Sequence, residues 1–109
     1  MFKLLSNPTF SHDVTIRVPV DGGFEDHVAR VRFRVLAVDD LVKHDVTRPD
    51  GQAAYCDAIV ESFENLEGDD GKPIPHSDKV KARMISTPFV RVALMRAYEA
   101  AMFGARIKN

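Results

Sequence analysis

Apolar side chains take every even position from Val14 to Val20, the period of a strand buried on one face, and Pro19 among the intervening residues marks an edge. Asp21-Gly22-Gly23 is a turn, and the returning run alternates again, with Val31, Phe33 and Val35 on one side and Arg30, Arg32 and Arg34 on the other. A long twisted β-hairpin over residues 10–36 is predicted. The spacing then lengthens to that of a helix: Val38, Leu41, Val42 and Val46 form one stripe, with Asp39 and Asp40 in the first turn, where acids suit the macrodipole. Thr47-Arg48-Pro49-Asp50-Gly51 breaks it. A second helix follows with Tyr55, Ile59, Phe63 and Leu66 along one face and Cys56 and Val60 adjacent, so that 38–66 reads as two helices.

Residues 67–76, with two glycines and two prolines, read as a loop. Ser77 is an N-cap opening a short basic helix with Lys79, Lys81 and Arg83. Thr87-Pro88 places a capping hydroxyl before a proline at the first helical position, and that helix is predicted to run to Phe103 and stop at Gly104. Residues 105–109 form a tail in which Arg106 and Lys108 complement the helix's negative end. The fold class is α+β, one domain over 1–109: an N-terminal β-hairpin packed against about four α-helices. Its core brings Val14, Ile16, Val18, Val31, Phe33 and Val35 against Leu41, Ile59, Phe63 and Leu94, since a lone hairpin is unstable.

The 109 residues, 45% hydrophobic and 28% charged, suit a single soluble domain. Fifteen bases nearly cancel sixteen acids, so no whole-protein field gathers a nucleic acid or a membrane. The charges are nevertheless sorted: six acids and no base from Asp57 to Asp70, then eight bases against two acids from Lys72 to Asn109. Such surfaces are solvated, or meet each other, or meet neighbours in a homo-oligomer. The arginine row on the hairpin reads as a solvated face balanced by Asp13, Glu25 and Asp26. Cys56, the single cysteine, reads as a core residue, and Met1–Leu5 is too short for a signal peptide. A cytosolic setting with no membrane span is expected.

No catalytic set can be assembled. His12, His27, His44 and His76 are dispersed, no pair has metal-ligand spacing, and no phosphate loop or dinucleotide fingerprint occurs. Asp69-Asp70-Gly71 lacks the alternating ligands of a calcium loop, and His76-Ser77-Asp78 are sequence neighbours of the wrong geometry for a triad. No enzyme, metal or cofactor is expected.

The last helix stands out because almost no wholly polar face remains. Met95, Met102 and Phe103, with Val92 and Tyr98 beside them and Arg91, Arg96 and Glu99 at the rim, are either core or a partner-binding face that is apolar and forgiving of sequence.

The order of elements carries a resemblance. A hairpin, two helices, the loop Asp70-Gly71-Lys72-Pro73-Ile74-Pro75, a short capped helix, then Thr87-Pro88-Phe89-Val90-Arg91, Ala97-Tyr98-Glu99-Ala100-Ala101, Gly104-Ala105 and a terminal Lys108-Asn109 resembles the small tail assembly chaperones of long-tailed bacteriophages and prophages. The resemblance implies binding to the tape measure protein, recruitment of the tail tube protein, action in the host bacterial cytoplasm and absence from the mature virion. It also implies a longer form made by frameshifting, with which the A-rich codons of Lys108-Asn109 are compatible. Two other classes compete. A small virion structural protein, such as a tail terminator or connector, would also need edge strands and apolar interfaces. A helix-turn-helix nucleic-acid binder would set Lys79, Lys81, Arg83, Arg91 and Arg96 on phosphates, but its recognition helix would offer alanine, methionine and phenylalanine to base edges.

Overall fold

The computed structural model describes residues 1–104, so the tail at 105–109, with Arg106, Lys108 and the Lys108-Asn109 terminus, lies outside the described residues. Strands β1 (Thr9–Val20) and β2 (Gly23–Arg34) pair antiparallel along their whole length. They are joined by Asp21-Gly22, where Gly22 takes the positive φ of 79° that a two-residue turn demands and that a side chain would strain. Inward positions Val14, Ile16, Ala29, Val31 and Phe33 are buried, as the period of two requires.

Helix α1 is a single turn, Val38–Leu41, so Val42 and Val46 lie beyond it and both are exposed. Helix α2 spans Pro49–Ile59 with Pro49 in its first turn. The break thus falls before Pro49, and Gly51 is inside the helix. A Cβ on Gly51 would lie 1.8 Å from the carbonyl oxygen of Asp45, so the glycine permits the close approach of the preceding loop.

The expected continuation of this helix through Phe63 and Leu66 is corrected by the structure. At Val60 the backbone turns extended, and Val60–Phe63 forms β3, which adds to β2 through Val31↔Phe63 and, across a bulge, Phe33↔Val60. Val60 and Phe63, three apart, keep a helical spacing and reach the same buried side of the strand only through the bulge, and the open edge of β2 supplies backbone partners that a longer helix would leave unmet. The sheet order is β1-β2-β3. The stretch expected to be pure loop holds a second small ribbon, β4 (Leu66–Glu67) with β5 (Pro73–Ile74). Helix α3 (Asp78–Ile85) opens on Ser77, whose hydroxyl accepts from the Val80 N–H at 3.1 Å. Helix α4 (Pro88–Phe103) ends at Gly104 with φ of 70°. Thr87 precedes α4 but does not cap it, because its hydroxyl donates back to the Arg83 carbonyl at 3.0 Å.

The fold is α+β, the hairpin with β3 packed against four helices. Its core joins the inward sheet residues to Tyr55, Cys56 and Ile59 of α2, Ile85 of α3, and Val90, Leu94 and Tyr98 of α4. Val18 and Leu41 only flank this cluster, and Val35 is exposed because the sheet ends at Arg34. Burial pushes the Cys56 thiol up to about 11, so it is an inert core group at neutral pH.

Among the described residues one ion pair, Asp57 with Lys81, joins the acidic segment to the basic one, and the other acids of 57–70 that form ion pairs do so with the hairpin arginines. Glu61 pairs with Arg34 at 2.6 Å, Glu64 with Arg32 at 3.4 Å, and Asp57 with Lys81 at 3.2 Å. The arginine row is therefore balanced largely by β3 and the residue after it, with Asp13 contributing a 2.9 Å contact to Arg30. Glu25 and Asp26 turn instead to His27 and Arg17. The Arg34 guanidinium holds Glu61 below the ordinary carboxylate range.

Candidate functional site: the outward face of the last helix

Helix α4 forms because Ala93, Leu94, Met95, Ala97, Ala100, Ala101 and Met102 are strong helix formers and proline sits only at its start. It lies across β1 and contacts α2 and α3. Val90, Leu94 and Tyr98, four residues apart, form its buried stripe. The opposite stripe, Val92, Arg96, Glu99 and Phe103, faces solvent, with Val92 48% and Phe103 67% exposed. Met95 and Met102 occupy one flank, half-buried against the core.

Six of the eight residues expected at a partner face thus share one continuous surface: Val92, Met95, Arg96, Glu99, Met102 and Phe103. Tyr98 does not belong to it. Its ring is fully buried among Phe10, Phe33 and Tyr55, with centroids 6.3, 5.4 and 6.2 Å away, because the sheet takes up the side of α4 on which it stands. Arg91 is also withdrawn. Its guanidinium donates to the carbonyl of Ile85 at 2.9 Å and of Pro49 at 3.0 Å, fastening α4 to the end of α3 and the start of α2. The cation thereby satisfies a carbonyl at the negative end of α3.

On the other flank, α4 and the outer side of β1 enclose a groove of about 470 Å³. Phe89, Val92 and Ala93 form one wall, and Thr15, Arg17 and Phe24 the other. Arg17 stands over the Phe24 ring at 5.5 Å and pairs with Asp26 at 3.7 Å, both in solvent. Neither Phe89 nor Phe24 belongs to the face expected from the sequence. The one available signal was Phe24 itself, a large aromatic beside a glycine turn where no core residue is required.

Among the described residues no group of three metal-ligating side chains comes together, and no helix is long and apolar enough to cross a membrane. His76 is engaged in the fold, its Nδ1 accepting the Phe63 N–H at 3.2 Å. Comparison with protein-family models, curated proteins and solved structures gave no match.

Proposed function

We propose that this protein is a tail assembly chaperone that covers apolar helical segments of a tape measure protein with the outward face of α4, and recruits tail tube subunits in the host cytoplasm before the virion is complete. The observation that carries the reading is the solvent-facing stripe of α4, in which Val92 and Phe103 stand exposed at either end of Arg96 and Glu99 and two methionines lie along one flank, and which nothing else among the described residues covers. Such a face suits a client presenting many similar helices, because methionine and valine give contact area without demanding one partner shape. A virion structural role would use the same surface permanently. The helix-turn-helix alternative draws less support, since Lys81 is buried against Asp57 and Arg91 is spent on two carbonyls, leaving fewer cations for phosphates.

The test is co-expression with the tape measure protein encoded in the same genome. Wild-type protein keeps that client soluble and co-purifies with it, whereas Phe103→Asp and Val92→Asp, both at exposed positions, fold normally and lose it. Full solubilisation by both variants, or recovery of the protein from purified virions, would overturn the reading.

A further inference from the structure

The edge of β1 is open, and its hydrogen-bonding phase can be worked out. Val35 donates to the Pro8 carbonyl at 3.0 Å, in register with Phe10↔Phe33, so even-numbered residues of β1 turn their backbone groups toward β2. On the other side of β2, Glu64 donates to the Arg30 carbonyl at 2.8 Å, which obeys the same alternation. The N–H and C=O groups of Ser11, Asp13, Thr15 and Arg17 therefore point away from the sheet. No described strand pairs with them. Pro19 lacks an N–H and blunts this edge only near the turn.

We infer that β1 pairs antiparallel with β1 of a second copy of this chain about a twofold axis through Thr15. In that register Thr15 faces its own symmetry mate and Asp13 faces the partner's Arg17, on both sides of the axis. All three pairs join residues whose backbone groups point outward, so each exchanges hydrogen bonds in both directions. Asp13, Thr15 and Arg17 carry exposed side chains on one face of the sheet, so the opposed carboxylate and guanidinium become cross-strand neighbours. The edge is self-complementary in charge, as an isologous interface must be. A shift of the register by two residues would lose this pairing, setting Asp13 against Thr15 or Pro19.

The same docking accounts for the groove. With the axis perpendicular to the sheet, both α4 helices lie on one face, and Phe89 and Ala93 of the groove wall turn toward their symmetry mates while the outward stripe holding Val92 and Phe103 stays free. One occupant thus covers an open strand edge and the apolar groove beside it. The inference stands on β1 and does not depend on the chaperone reading.

Sedimentation over a concentration series tests it with three samples. Wild-type protein shows a monomer–dimer equilibrium. Asp13→Arg and Arg17→Asp, each alone, oppose like charges at both pairs and weaken dimerisation by about tenfold or more. An equal mixture of the two variants regains the dimer, because a mixed pair restores an acid opposite a base on both sides. A wild-type monomer at every concentration, dimerisation indifferent to both reversals, or a mixture no tighter than its components would overturn the proposal. Should a charge variant misfold, Thr15→Cys decides the matter: a short thiol cross-linker yields a covalent dimer if Thr15 sits on the axis, and only monomer if it does not. Cys56, being fully buried, does not compete.

Discussion

The hydroxyl of Tyr98 donates to the carbonyl of Arg34 at 2.8 Å, fixing the middle of α4 to the last residue of β2. The same oxygen accepts the N–H of Leu36 at 3.0 Å, so one phenol satisfies two backbone groups where the strand ends. Tyr98→Phe keeps the ring and strands both groups. It is expected to cost about 1–3 kcal/mol, and Tyr98→Ala about 3–5 kcal/mol, in urea unfolding monitored by circular dichroism.

Alkaline stability follows from the two tyrosines, both buried. Burial raises Tyr98, and burial together with the charge of Glu99 pushes Tyr55 up to about 12. A folded-state value above the unfolded one means stability is complete below the ordinary tyrosine value near 10 and is lost as pH climbs through the folded value. Tyrosinate absorbance and unfolding are therefore expected to rise together between about pH 10 and 12. Tyrosinate formation near pH 10 in a protein whose circular dichroism is unchanged would contradict the burial of both rings.

Gly51→Ala places a methyl group against the Asp45 carbonyl, and backbone on both sides has little freedom to retreat. Helix propensity alone would favour the change by up to about 1 kcal/mol. The clash is expected to dominate, with a net loss of about 1–3 kcal/mol by thermal denaturation. A stabilised variant would show that the loop from Asp45 to Arg48 yields.

Lys81 is buried by its stem and places its ammonium 2.8 Å from the Asp57 carbonyl and 3.2 Å from its carboxylate. Lys81→Met preserves the stem and removes the charge, and stability is expected to stay within about 1 kcal/mol of wild type. Lys81→Glu sets a carboxylate against both acceptors and is expected to cost several kcal/mol. Equal tolerance of the two, measured by chemical denaturation, would place this side chain in solvent.

Local signals determined much of the fold. The hairpin was legible from two alternating runs meeting at a glycine turn, and α3 and α4 from Ser77, Pro88 and Gly104, because turn and cap chemistry act over a few residues. The fate of Phe63 and Leu66 was not legible. Tyr55, Ile59 and Phe63 keep a helical spacing, yet Phe63 lies on a strand, since the preference between the two periods was decided by the unpaired edge of β2, distant in sequence. The candidate face was half legible for the same reason. An apolar excess on α4 can be counted along the chain, but which side the sheet would claim depends on where β1 lies. Tertiary packing took Tyr98 into the core, committed Arg91 to two carbonyls, and left Val92 and Phe103 in solvent. Composition sets how much apolar surface a helix carries; only the neighbours that arrive decide which part is covered.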